Sequence, residues 1–247
     1  MKTVLLVGGL GTRLRSAVPS LPKTLASVGD KPFLELLVRQ LGSQGLHQLV
    51  MCTGYLAEQI QEVFGNGRDF GATIEYSKEI VPLGTAGALK LAQSYLQNES
   101  DFLVINGDTF LEIDFNEFVL SHRKHGSLAT MAVVPVENSS RYGTVQVGAD
   151  GRILGFLEKK GQNAPGLINA GVYVFSDAAL ALIPQGPASL ERDVFPLLME
   201  QGFYAIEQRG MFIDIGTPDD YARANRLADR LADAAFYKHG FRLAGST

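Results

Sequence analysis

An α/β fold, with a mostly parallel central sheet and helices on both faces, is predicted by three observations. Apolar strand-like runs alternate with helices bearing one apolar face up to Asn106. A glycine loop follows the first run almost at the N-terminus. After Asp108 the pattern turns strand-rich, which predicts a second half that extends the sheet and roofs one side of a crevice.

The elements follow in order. Val4–Val7 reads as a buried strand. Pro32 to Gln44 reads as a helix with Phe33, Leu34, Leu37, Val38 and Leu41 on one face. His47–Thr53 is a second strand, Leu56–Phe64 a helix ended by Gly65-Asn66-Gly67, and Thr73–Tyr76 a third strand. Thr85–Tyr95 is an Ala- and Leu-rich helix, and Asp101–Asn106 a fourth strand. Leu128–Val136, Gly143–Val147, Ile153–Glu158 and Ile168–Phe175 read as strands, with a turn at Gly151 and a loop from Gly161 to Gly166. Ser189–Gln201 and Pro218–Ala234 read as helices, and the stretch from Ala235 is weakly patterned. In such a sheet ligands bind beyond the strand carboxyl ends. Gly8–Arg13 and Gly107-Asp108 both fall there, so they can share one crevice.

Composition narrows the class. A chain of 247 residues, 46% hydrophobic and 19% charged, makes one large domain or two small ones. The net charge of −4 argues against general nucleic-acid binding, so an anionic substrate must be captured by a few placed cations. The single cysteine, Cys52, sits in an apolar run and reads as core, which fits a reducing cytoplasm. Lys2 and the apolar residues after it are too short and glycine-broken a run for a signal peptide. No stretch approaches the roughly 20 apolar residues of a membrane helix.

The loop Gly8-Gly9-Leu10-Gly11-Thr12-Arg13-Leu14, followed by Pro22-Lys23, suits a triphosphate. Glycines let backbone N–H groups approach an anion closely, and Arg13 and Lys23 add two fixed charges. It is not a P-loop, because Thr12-Arg13 stands where Lys-Ser/Thr is needed, and it fails the dinucleotide fingerprint at Leu14. The bland alternative is a tight turn needing glycine for backbone shape, but a turn does not need an Arg and a Lys.

A second constellation is acidic. Asp108 emerges from a buried strand, which is costly unless a cation waits for it. Asp214 lies between Ile213 and Ile215, ahead of Gly216-Thr217-Pro218. Two carboxylates with oxygen-only surroundings suit Mg²⁺. Taken singly, each Asp could instead order its turn. Lys159 in Glu158-Lys159-Lys160 suits a second phosphate and Glu158 a sugar hydroxyl, the alternative being a solvated strand end. Asn169-Ala170-Gly171 offers an amide and bare backbone for sugar hydroxyls. Leu83–Ala88 offers a flat, small-residue surface for a base, or equally a helix start that needs small residues for packing.

Together these motifs resemble the sugar-1-phosphate nucleotidylyltransferases, from about Thr3 to Tyr221. Gly8–Leu14 and Ser140-Arg141-Tyr142-Gly143-Thr144-Val145 look most like the D-glycero-α-D-manno-heptose 1-phosphate guanylyltransferases. The resemblance implies a single Rossmann-like α/β/α sandwich with a strand-rich sugar-binding part. It spans residues 1–234, with 1–110 mainly nucleotide-binding, 111–234 mainly sugar-binding, and 235–247 a tail. It implies transfer of a nucleotidyl group, GMP from GTP, to the heptose 1-phosphate, with Mg²⁺ as cofactor and pyrophosphate released. GDP-heptose for surface polysaccharide would be the product. Arg13, Lys23 and Asp108 would be catalytic, and Asp108 and Asp214 would hold the metal. Gly8, Gly9, Gly11, Thr12, Gly84, Thr85 and Gly87 would join Arg13 and Lys23 around the nucleotide. Gly107, Tyr142, Gly143, Glu158, Lys159, Asn169 and Gly171 would hold the sugar phosphate, with Arg141-Tyr142 reaching its C6 end. Relatives often have Pro-Lys-Pro where Lys23 is followed by Thr24, which predicts a slightly looser loop. The scattered histidines (His47, His122, His125, His239) sit in no motif. The expected partners are an NTP and a sugar 1-phosphate, with no nucleic acid or membrane; oligomeric state stays open. The competing readings are a mannose- or other hexose-1-phosphate nucleotidylyltransferase, and a non-catalytic regulatory relative. The latter predicts loss of Arg13, Lys23, Asp108 or Asp214, and all are present.

Overall fold

The computed structural model describes residues 1–9, 11–14, 17–139, 142–157 and 164–236. The first half runs β1 (Thr3–Leu6), the short pair β2 (Ser27–Val28) and β3 (Lys31–Pro32), α1 (Phe33–Ser43), β4 (Gln48–Thr53), α2 (Ala57–Phe64), β5 (Thr73–Lys78), α3 (Gly84–Leu91) and β6 (Asp101–Asn106). The second runs β7 (Thr109–Leu111), α4 (Phe115–His125), β8 (Ala129–Val136), β9 (Thr144–Val147), β10 (Ile153–Leu157), β11 (Gly166–Ser176), α5 (Phe195–Gln201), β12 (Phe203–Glu207), β13 (Phe212–Asp214), α6 (Pro218–Arg226) and α7 (Ala228–Phe236).

In the main sheet the strands of the first half are all parallel: β1 lies between β4 and β6, and β4 pairs with β5, while β2 and β3 form a separate antiparallel pair. Strand alternation sends Leu5, Leu103 and Ile105 to one face and Val4, Phe102 and Val104 to the other. The first face is covered by α1, α2, α4 and α7, through residues such as Phe33, Ile60, Phe118 and Leu231. The second is covered by α3 and α5, through Leu89, Phe195 and Leu198. The result is the expected α/β/α sandwich. Beyond β6 the sheet turns antiparallel at β11, which also pairs with β8 and β9, while β12 adds to β8 in parallel.

Four local differences from the sequence expectation have physical causes. The expected helix Ser189–Gln201 is a widened π-helical turn, Leu190–Val194, followed by α5. Pro196 stands at the start of α5 and has no N–H for the preceding turn. The expected helix Pro218–Ala234 breaks at Leu227, and the break lets α7 bury Leu231 and Ala235 in the core against α1. The expected helix to Tyr95 tightens into a 3₁₀ turn after Leu91. Helix α4 was not expected, although Asp114 caps it by accepting from Glu117 N–H at 3.0 Å and Gly126 closes it with φ +59°.

Candidate active site

The carboxyl ends of the parallel strands surround a crevice of about 440 Å³. Gly8, Gly9, Gly11 and Thr12 line one wall, Lys23 and Asp108 another, and Gly84, Thr85 and Asn106 complete it. Lys23 begins a 3₁₀ turn closed by Leu25 N–H to Pro22 O at 2.9 Å and Ala26 N–H to Lys23 O at 3.0 Å. Thr24, which stands where relatives often have Pro, is buried in this turn. Gly11 has φ +59°, and a Cβ on it would lie 3.1 Å from Lys23 Cβ. Only glycine lets the loop fold back over the lysine in this way.

The acidic pair is assembled by two strands of three residues each. β7 and β13 pair antiparallel, with Thr109 opposite Asp214, and Ile215 N–H donates to Asp108 O at 3.0 Å. Asp108 and Asp214, distant in sequence, thereby become neighbours. Gln40, buried on α1, donates its side-chain amide to Leu111 O at 2.7 Å and ties β7 to the core. Thr217 accepts from Asp220 N–H to cap α6, and Pro218 occupies its first turn, which fixes where the chain leaves the Asp214 turn.

Lys23 Nζ donates to Asp108 Oδ2. Asp214 accepts from Gly216 N–H. Burial, and then the charge of Asp108, pushes the Asp214 carboxyl up to about 6, against the opposing pull of Lys23 and that N–H. Arg13 is not a wall of the crevice. Its Nη2 lies 3.7 Å from where a Cβ on Gly216 would stand, so it reaches to the Asp214 turn.

The donor set fits a hard divalent cation. Two adjacent carboxylates, one of them half-buried and raised by that burial and by the other's charge, gain from a cation between them. Among the described residues no group of three or more His, Cys, Asp or Glu could hold a metal. A cation here would therefore complete its shell with water and phosphate oxygens, the pattern typical of Mg²⁺.

Several expected residues do structural work. Gly87 does not line the crevice; a Cβ there would lie 2.5 Å from Gly186 O, and its N–H and that of Ala86 donate to Ala188 O. Thr85 Oγ1 accepts from Leu190 N–H at 2.8 Å. Gly107 N–H donates to Leu6 O at 3.0 Å. Asn169 donates to Tyr173 Oη at 2.7 Å and accepts from Gly171 N–H at 2.9 Å. These bonds form the irregularity in β11 that lets Gly171, at φ +70°, press on Asn106; a Cβ would come within 2.8 Å of its amide nitrogen. Tyr142, beside Gly143, packs edge-on to Phe212 with centroids 6.4 Å apart. Glu158, Lys159 and Arg141 lie outside the described residues.

One crevice residue escaped the sequence reading. Glu79 lies within the crevice wall, its Oε2 accepting from Leu83 N–H at 2.9 Å. Burial raises its carboxyl above the ordinary range. Its position five residues before Gly84, just ahead of the small-residue segment, was the available signal. Cys52 also touches the crevice, but burial pushes its thiol up to about 12, so it is no nucleophile. No helix among the described residues is long and apolar enough to cross a membrane.

Comparison with known proteins shows the family and the fold. The family model described as Nucleotidyl transferase matches residues 2–230. D-glycero-alpha-D-manno-heptose 1-phosphate guanylyltransferase of Aneurinibacillus thermoaerophilus is 40% identical over 228 residues, covering 92% of this chain and 97% of that protein. Mannose-1-phosphate guanylyltransferase catalytic subunit beta of Danio rerio is 39% identical over 225 residues, covering 90% of this chain but 62% of that protein. The chain thus spans about three fifths of the length of that subunit. The crystal structure of HddC from Yersinia pseudotuberculosis complexed with GMP-PN superposes with a TM-score of 0.83 at 34% identity, over 91% of this chain and 98% of that one. The chain belongs to the nucleotidyl transferase family.

Proposed function

We propose that the chain transfers GMP from GTP to D-glycero-α-D-manno-heptose 1-phosphate, forming GDP-heptose and releasing pyrophosphate. The observation that carries the reading is the β7–β13 pairing, which sets Asp214 beside Asp108, the crevice residue ion-paired with Lys23. The acceptor phosphate is already a nucleophile, so no side-chain nucleophile is required. The difficulty is bringing one polyanion in line with another. Lys23 and the N–H groups of the glycine loop hold the triphosphate, and Lys23 and Arg13 offset charge as pyrophosphate leaves. Asp108 and Asp214 would hold Mg²⁺, which supplies charge neutralisation at the phosphates. The sugar phosphate is assigned to Gly107, Tyr142, Gly143, Glu158, Lys159, Asn169 and Gly171. In this reading residues 1–110 mainly bind nucleotide, 111–234 mainly bind sugar, and the enzyme works in the cytoplasm for surface polysaccharide.

Glu79 favours guanine. A carboxylate offers acceptors to guanine N1–H and N2–H₂, while adenine would set an acceptor against it. The heptose is favoured over mannose because the heptose enzyme is matched over 97% of its length. The test is pyrophosphate release with four NTPs against heptose, mannose and glucose 1-phosphates. GTP with the heptose is expected to give the highest kcat/KM. A clear preference for mannose 1-phosphate would overturn the acceptor, and a preference for another NTP the base.

A further inference from the structure

The widened turn Leu190–Val194 lies against the start of α3, and turns of this kind recur at functional sites. The chain enters it stitched to α3. Ala188 N–H donates to Leu83 O at 2.8 Å, Ala188 O accepts from Ala86 N–H at 3.0 Å, and Leu190 N–H donates to Thr85 Oγ1 at 2.8 Å. Gly84 permits this approach: at φ +71°, a Cβ on it would lie 2.6 Å from Ala188 O. Gly84 and Thr85 are crevice walls, so the stitching delivers the next residue, Glu191, to the crevice rim.

Glu191 is exposed and stands outside the wall of the empty crevice. Its Oε2 accepts from Ser189 Oγ at 2.9 Å and faces Thr85 Oγ1 at 3.4 Å. Its Oε1 has no hydrogen-bond partner, and its charge no cation, among the described residues. An acid in a first turn can serve the helix dipole alone. Here the cap is made without it: Ser189 N–H donates to Asp193 Oδ2 at 2.7 Å, and Ser189 Oγ accepts from Arg192 N–H at 3.3 Å. Glu191 also reaches the strand β11 side of the crevice. The buried Tyr173 hydroxyl accepts from the Asn169 amide at 2.7 Å, with the crevice residue Asn106 beside it. Burial, then the charge of Glu191, then that of Asp108, push this hydroxyl well above its ordinary value. Glu191 thus stands within electrostatic reach of the Asn106 and Asn169 amides.

We infer that Glu191 is an acceptor-binding residue, whose free carboxylate oxygen accepts from a ring hydroxyl of the sugar 1-phosphate. A carboxylate would repel the sugar's phosphate, so the neutral hydroxyls are what it fits. An ionised carboxylate only accepts hydrogen bonds, and a sugar hydroxyl can donate one.

Glu191 has this role only if the chain is the proposed transferase, so one assay reads both: pyrophosphate release with GTP and either the heptose 1-phosphate or mannose 1-phosphate. Glu191→Ala should raise KM for the acceptor about tenfold, as expected for losing a hydrogen bond to a charged group, and Glu191→Gln, which keeps one acceptor oxygen, should raise it less. Both should leave kcat, KM for GTP and Tm near those of the unaltered protein, because a contact to a hydroxyl that takes no part in bond making holds ground state and transition state alike. An unchanged acceptor KM in Glu191→Ala would overturn the inference. So would a rise confined to KM for GTP, which would put the carboxylate on the ribose. Asp193→Asn, which weakens the Ser189 cap, should lower Tm and leave the acceptor KM alone. The same KM rise in that variant would reduce Glu191 to a support of the helix start and overturn its role. Turnover with mannose 1-phosphate alone would overturn the proposed acceptor, while the Glu191 effect on that sugar's KM would still decide its role. No turnover with either sugar would remove the proposed function and this inference together.

Discussion

Asp108 and Asp214 are the same residue type on two paired strand ends, yet their surroundings differ. Asp108 leaves β6 into the crevice and is ion-paired with Lys23. Asp214 ends β13, accepts from a backbone N–H, and is pushed up to about 6 by burial and by Asp108. Lys23 is therefore ion-paired with one carboxylate and only partly offsets the burial and repulsion at the second. That imbalance is what a divalent cation would relieve, and it separates the roles of the two residues.

The largest expected effect comes from Asp108→Asn. It removes a cation ligand and the partner of Lys23, and should cost several kcal/mol of transition-state stabilisation, on the order of a thousandfold in turnover. It should also drop the Asp214 carboxyl toward the ordinary range. Near-normal pyrophosphate release from the folded variant would break the comparison. Lys23→Ala should cost about 2–4 kcal/mol, mainly in kcat, because charge grows on departing pyrophosphate. Arg13→Ala should cost less, since its guanidinium lies by Gly216 outside the crevice wall. An unchanged kcat with only a raised KM for GTP would contradict both.

The pH dependence sharpens the contrast further. The folded Asp214 carboxyl, near 6, holds its proton more tightly than the ordinary value of 3.8. Its contribution to stability is therefore fully present below about pH 4 and is lost as pH rises through about 6, on the order of 2–3 kcal/mol. Denaturation of the protein in EDTA, compared with Asp214→Asn across pH 4–7, should reveal this difference, and Mg²⁺ should shrink it. Parallel curves for the two proteins would argue that Asp214 is not in repulsion. The smallest effect is expected at Glu79→Gln, where an amide N–H₂ would face guanine donors. GTP preference over ATP should fall by about 1–3 kcal/mol in kcat/KM, and an unchanged ratio would remove Glu79 from base recognition.

The parallel half was legible because its strands are flanked by helices with clear apolar faces, as in β1, α1 and β4. The glycine loop, Lys23 and both aspartates could be picked out by residue type and strand-end position. What escaped was their assembly. β7 and β13 have three residues each, too few for periodicity, and their pairing depends on the whole sheet bringing them together. Glu79 escaped because its role depends on burial, which a lone acid beside the exposed Ile80 and Val81 does not advertise. α4 had a readable signal, Asp114 three residues before Glu117 with Gly126 at its end. Asn169 was read as a sugar ligand from its amide beside the bare backbone of Gly171, whereas that amide also holds Tyr173 and Gly171.

The most direct test of the account is Mn²⁺ binding followed by electron paramagnetic resonance, with GTP present, in the unaltered protein, Asp108→Asn, Asp214→Asn and the double variant. If the β7–β13 pairing builds one cation site, each single variant should weaken Mn²⁺ binding strongly and the double variant should be little worse than either. Mn²⁺ binding unchanged by Asp214→Asn, or losses from the two substitutions that simply add, would contradict it.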